Sequence, residues 1–232
     1  FIDLDTLKEE GLLTQEEILS YDFGKDKEHV DYGTLFLNRV PLLRKAFARF
    51  KKNSEEFRSF VKKGTYKDFA FFMTLKSREH FMPWYEWPEE LRNYTPAFEE
   101  KIIKENEEDY LFYQFTQFEF LKQFFKLKDY AHSKGISLMG DMPLYLAYDS
   151  VECYEHPELF LLDQNHRPIK VAGCPPDGFS PDGQLWGNPI YNWDYQKKTG
   201  YAWFNERIRQ NLAIYDILRI DHFRGFAGYY TI

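Results

Sequence analysis

The chain has 232 residues, with 30 Lys and Arg against 37 Asp and Glu; its net charge of −7 does not offer the basic surface that nucleic acid or an anionic membrane requires. At 44% hydrophobic and 29% charged it has the composition of a folded soluble chain, and no apolar run approaches the roughly 20 residues of a membrane helix. Cys153 and Cys174 cannot make a disulfide framework and point to a reducing, cytoplasmic compartment, while a 19% aromatic share can fill a large core and line a pocket for flat-faced ligands.

In chain order, Thr6 with Glu9 and Thr14 with Glu17 fit capping boxes, separated by Gly11. Leu43, Phe47 and Phe50 predict a helix following Pro41. Asn53 with Glu56 then caps a helix carrying Phe57, Phe60 and Val61, closed by Gly64. Residues 69–75 read as a short helix and Trp84–Pro88 as an aromatic loop. The longest predicted helix runs from about Pro96 to Lys134, with Leu111, Phe115, Phe118, Leu121 and Phe125 as its apolar stripe and Gly135 as its stop. Ile136–Asp141 reads as a buried strand, followed by a loop of about 60 residues of the kind that is usually functional or disordered. Trp203–Asn211 is a short helix, and Ile217–Asp221 a second buried strand. Helices alternating with strands that end in carboxylates favour a parallel sheet, with chemistry at the strands' C-terminal ends. Phe1 and the abrupt Tyr230–Thr231–Ile232 end read as pieces of a longer protein.

Arg219 and Asp221 lie two apart on a strand and so point to the same side, with Leu218 and Ile220 on the other. A guanidinium holds a nearby carboxylate ionised, as a glycosidase nucleophile must be; a structural ion pair is the competing reading. Asp141 either binds a substrate hydroxyl or caps a loop, and His222 either hydrogen-bonds substrate or is structural. Gln184, Trp186 and Asn188 bring two amides and an indole together, with Tyr191 and Trp193 following. Amides read sugar hydroxyls and aromatics cover ring faces, unless the loop is simply packed on itself. No histidine or cysteine spacing suits a metal, and no glycine-rich loop suits a phosphate.

Several segments together resemble the amylomaltase family of 4-alpha-glucanotransferases, the disproportionating enzymes of glycoside hydrolase family 77 in the alpha-amylase clan. They are Gly140–Tyr145, Val171–Asp177, Gly183–Pro189 and Leu218–Gly225, supported by Val30–Tyr32, Pro41–Arg44 and Trp84–Pro88. The resemblance covers essentially the whole chain. It implies an α/β fold, a (β/α)8 TIM-type barrel with helical insertions, of which residues 1–232 are the N-terminal part through about strand 4. Residues of about 40–130 would form a helical insertion and about 142–200 a substrate-loop insertion. It implies retaining transfer of an alpha-1,4-glucan segment between malto-oligosaccharides, without a cofactor. Asp221 matches the nucleophile, Arg219 the arginine that orients it, His222 a donor-side hydrogen-bonding residue, and Asp141 the aspartate after the third strand. Phe179, Gln184, Trp186 and Asn188 fall in the loop that shapes the glucan sites. Many members carry tyrosine where this chain has Gly178. The family's acid/base glutamate and second aspartate follow later strands and are not among these residues, so the chain alone is expected to be inactive. A glucan-binding fragment, or another hydrolase of the clan, are the alternatives.

Overall fold

The structure is a computed structural model that describes residues 2–24, 26 and 28–232. Helices α1 (Leu4–Glu9), α2 (Gln15–Leu19), α3 (Tyr32–Arg49), α4 (Glu55–Lys63), α5 (Lys67–Arg78), α6 (Glu89–Arg92), α7 (Pro96–Glu105) and α8 (Glu107–Ser133) come first. Strand β1 (Met139–Met142), α9 (Val151–Glu155), β2 (Val171–Cys174) and β3 (Gln184–Pro189) follow. The chain ends with α10 (Trp193–Lys198), α11 (Ala202–Ile214), β4 (Ile217–Ile220) and β5 (Tyr230–Thr231). No helix among the described residues is long and apolar enough to cross a membrane.

The chain divides into two compact units. The first comprises residues 1–74 and 100–126, and an aromatic core holds it together. Phe47 of α3 meets Phe112 and Phe115 of α8 at 5.7 and 5.3 Å, and Phe57 of α4 meets Phe118 at 5.5 Å. Such edge-on and tilted pairs add about 0.5–1.5 kcal/mol each beyond their buried area. The stripe on α8 is shifted from the predicted one: Phe112, Phe115 and Phe118 are buried, whereas Phe125 is exposed.

Several helix ends differ from expectation. The Thr14–Glu17 capping box is present, but α1 is capped by Asp3, which accepts from the Thr6 N–H at 2.8 Å. The Asp3 carboxylate starts the helix three residues earlier and leaves Thr6 inside it. Helix α3 starts well before Pro41, because the Asp31 carboxylate caps it through the Thr34 N–H at 2.9 Å, and Pro41 lies inside the helix. Ser54, not Asn53, caps α4, and Gly64 ends it in the left-handed conformation. The predicted 96–134 helix is two helices. Asn106 separates them, and its amide Nδ2 donates to the Ile102 carbonyl at 2.9 Å beside its own backbone N–H at 3.0 Å.

The second unit comprises residues 75–99 and 127–232, so part of the expected 40–130 segment clusters here. β1 and β4 pair in parallel, with Asp141 opposite Arg219, and β3–β2–β5 form a separate antiparallel sheet. Among the described residues the parallel sheet has these two strands. Neither strand is buried as expected: each has one covered face, and Met139 and Ile217 on the other are 59% and 48% exposed. The expected 60-residue loop is largely structured, containing α9, β2, β3 and α10. Tyr191 is its buried centre, packed against Phe160 at 5.2 Å and Phe204 at 4.9 Å.

The β1–β4 register is fixed at its lower end by Asp216. Its carboxylate accepts from the Leu138 N–H at 2.8 Å and pairs with Lys128 at 3.0 Å and His132 at 2.8 Å. These bonds, that to His132 foremost, hold its carboxyl well below the usual range. A one-residue slip would put Asp141 and Arg219 on opposite faces, so this clamp matters to the site above it. Gly140 is needed for the same alignment, since a Cβ there would lie 2.2 Å from Tyr215 Cδ2.

Candidate active site

Arg219, near the C-terminal end of β4, reaches in two directions. One guanidinium nitrogen donates to Asp141 Oδ2 across the strand pair, and Nη2 donates to Asp221 Oδ1 at 2.9 Å. The alternation of the strand puts Arg219 and Asp221 on one side, as the spacing predicted, and the parallel register brings Asp141 to the same place. The planar fork of arginine suits this double contact; a lysine ammonium would be a single point. All three side chains are half-exposed, so the arrangement is open to a ligand.

His222 follows directly, in the left-handed region at φ 51°, and its ring sits beside Trp186 at 5.3 Å and Tyr145 at 5.9 Å. Gly225 makes room for it: a Cβ at 225 would lie 2.9 Å from His222 Cδ2 and 2.1 Å from Leu144 Cδ2. Gln184 and Trp186 come together as expected, with the indole Nε1 donating to Gln184 Oε1 at 2.9 Å. Asn188 is used differently. Its amide donates to the Leu146 carbonyl at 2.7 Å and thereby holds the loop after β1. Tyr191 does the same through the Leu144 carbonyl at 2.7 Å, so the self-packed and the ligand-facing readings of this loop each apply to part of it. Phe179 stands apart at the tip of the Asp177 turn, 96% exposed. Its N–H and that of Ser180 donate to Asp177 Oδ1, at 2.9 and 2.8 Å, which holds the Asp177 carboxyl below its usual range.

A guanidinium joining two strand-end carboxylates, flanked by an indole, an amide and an imidazole, suits the handling of a neutral polyhydroxylated ligand at a carboxylate nucleophile. Among the described residues no group of three or more His, Cys, Asp or Glu side chains could hold a metal ion. The profile of glycoside hydrolase family 77, 4-alpha-glucanotransferase, matches residues 1–232. The chain belongs to the 4-alpha-glucanotransferase family. It is 43% identical to the 4-alpha-glucanotransferase of Clostridium butyricum, over all of this chain and 48% of that protein. It is 40% identical to that of Thermus thermophilus, over all of this chain and 47% of the relative. The amylomaltase of Streptococcus agalactiae, solved in complex with acarbose, superposes with a TM-score of 0.93 at 41% identity, covering all of this chain and 48% of that one. The chain thus spans about half the length of the curated 4-alpha-glucanotransferases it matches.

Two residues of this glucanotransferase-family chain escaped the sequence reading. Arg207 donates to the Pro143 carbonyl at 2.7 Å and to the Leu144 carbonyl at 3.1 Å, anchoring the segment that follows β1. Tyr145 lies in that segment, buried between His222, Trp186 and Tyr191. The sequence carries no spacing signal for either, because these partners are 41 to 77 residues away.

Proposed function

We propose that the chain forms the nucleophile-bearing half of a 4-alpha-glucanotransferase barrel acting on malto-oligosaccharides in the cytoplasm. The observation that carries this reading is the Arg219 fork between Asp221 and Asp141. Asp221 attacks the anomeric carbon of a bound glucan. The bond to the leaving 4-oxygen breaks, and that oxygen takes a proton from a general acid. A covalent glycosyl-enzyme forms. The 4-hydroxyl of a second glucan then attacks it, returns its proton to the same acid/base group, and regenerates the Asp221 carboxylate with net retention. Arg219 keeps Asp221 ionised and aimed; Asp141 and His222 bind sugar hydroxyls; Gln184 and Trp186 border the glucan, while Asn188 supports the loop that carries them. Phe179 belongs to the acceptor side. The family resemblance assigns the acid/base to a glutamate outside these residues. Leaving-group protonation is worth about 10²–10⁴-fold, so residues 1–232 alone would bind glucan without transferring it.

The test is incubation of the full-length gene product with maltotriose. Glucose together with maltopentaose and longer products is expected, and Asp221→Asn should abolish turnover while leaving glucan binding intact. Products of hydrolysis alone would overturn the transferase assignment, and an active Asp221→Asn enzyme would overturn the nucleophile assignment.

A further inference from the structure

Beside the Arg219 fork lie two polar atoms that the fold buries and leaves unpaired. Tyr145, in the segment after β1, is 8% exposed, and its hydroxyl has no hydrogen-bond partner. His222 is half-buried, with its Nε2 covered and likewise unpartnered. The two rings are 5.9 Å apart. Trp186 stands edge-on to His222 and 6.3 Å from Tyr145, and Tyr229 meets Tyr145 edge-on at 6.2 Å.

Packing alone fixes both groups. His222 is held by its left-handed backbone and by the room Gly225 leaves. Tyr145 stacks on Tyr191 at 6.2 Å, and the Tyr191 hydroxyl is already engaged with the Leu144 carbonyl. Burial keeps the Tyr145 hydroxyl protonated, pushing it up to about 12. Buried polar groups without partners are uncommon and costly. Here two lie on neighbouring rings, and a phenol and an imidazole can each take part in a hydrogen bond. A hydroxyl both donates and accepts, so one hydroxyl can satisfy both atoms at once. Trp186 and Tyr229 supply the apolar surface that a sugar ring covers.

We propose that Tyr145 Oη and His222 Nε2 jointly bind one hydroxyl of the glucan, which makes Tyr145 a specificity-determining residue of the site. The proposal rests on the glucan reading above. The family resemblance gave His222 a role and gave Tyr145 none.

The test uses Tyr145→Phe, which keeps the ring and removes only the hydroxyl. Acarbose affinity and thermal unfolding are measured on the full-length gene product. A single neutral hydrogen bond predicts affinity weaker by roughly 3- to 15-fold. The unfolding temperature should be unchanged or raised, because an unpaired buried hydroxyl has been removed. A merely structural tyrosine would lower both together, and that result would overturn the proposal, as would unchanged affinity. In a His222→Asn background, where asparagine tolerates the left-handed backbone, Tyr145→Phe should cost less than it does alone; additive losses would overturn the shared hydroxyl. If the unsubstituted protein failed to bind acarbose, the glucan reading would fall and this proposal with it, whereas binding that ignores Tyr145 would overturn this proposal alone.

Discussion

Arg219→Met separates the role of the guanidinium in the reaction from its role in the fold. In the structure Arg219 makes two ion pairs, to Asp141 and Asp221, with all three side chains 55–57% exposed. Ion pairs at that exposure contribute about 0.2–1 kcal/mol each. Losing both costs no more than about 2 kcal/mol, and a chain of this size loses about 2–4 °C per kcal/mol, so the unfolding temperature should drop by less than about 8 °C. The effect on the reaction should be far larger. Two carboxylates would face each other without a cation, and Asp221 would lose the bond that aims it. Removing one preorganised electrostatic partner from a reacting centre typically costs about 10²–10³-fold in turnover. Arg219→Lys keeps the charge but cannot fork, so it should recover stability and only part of the rate. The assay is initial-rate glucose release from maltotriose by the full-length protein, alongside thermal unfolding of the same preparations. Turnover by Arg219→Met within about threefold of the unsubstituted protein would refute the reasoning. A collapse of stability that accounted for the lost rate would reduce Arg219 to a structural pair.

Gly225→Ala should damage the same site through packing. Its Cβ would come 2.1 Å from Leu144 Cδ2 and 2.9 Å from His222 Cδ2, and such overpacking costs about 1–3 kcal/mol; an unaltered unfolding temperature together with an unaltered KM for maltotriose would contradict this. In the first unit, Glu17 carries a pH dependence. Its bond to Arg49, followed by that to the Thr14 N–H, lowers its pKa from 4.5 to about 2. A carboxyl depressed in the folded state stabilises fully above its unfolded value and loses that contribution as pH falls toward the folded one. Glu17→Gln keeps the capping geometry, so the stability gap between the two proteins should be widest above pH 4.5 and close as the pH is lowered toward 2, read by thermal unfolding across that range; a constant gap would refute the linkage.

The Arg219–Asp221 pair was legible because strand parity alone puts residues two apart on one side, and Asp141 because a second strand also ends in a carboxylate. Local punctuation was legible where a single interaction decides it, as with the Thr14–Glu17 box and Gly64. It failed where a neighbouring side chain offers an alternative cap or bond. Asp3 outreaches Thr6, Ser54 replaces Asn53, and Asn106 bonds backward to Ile102 and splits a helix whose apolar spacing runs on. The β2–β3 hairpin was missed for a different reason. Most of β3 is exposed on both faces, so it shows no alternation for a pattern to detect. Tyr145 carries its meaning only through rings brought in from residues 186, 191, 222 and 229, a juxtaposition that no local spacing encodes.

The exposure of the fork bears on transfer versus hydrolysis. With Asp141, Arg219 and Asp221 each more than half open, packing among residues 1–232 would not itself keep water from the glycosyl-enzyme proposed at Asp221. Among residues 1–232, loops that meet a bound glucan are the means left to exclude water. Phe179 is the clearest candidate on this chain. It projects, 96% exposed, from a turn that Asp177 stiffens through two backbone N–H groups. An exposed apolar side chain on a rigid turn adds little to the fold, so Phe179→Ala should change stability by no more than about 0.5 kcal/mol. If its ring meets the acceptor sugar, its loss should weaken acceptor binding and let water compete. Hydrolytic products should then rise relative to transfer products, with total consumption of maltotriose changing less than that ratio. Separating the products by chain length measures it directly. A Phe179→Ala enzyme with an unchanged ratio at limiting acceptor would place water exclusion elsewhere and leave Phe179 as an exposed residue without a part in the partition.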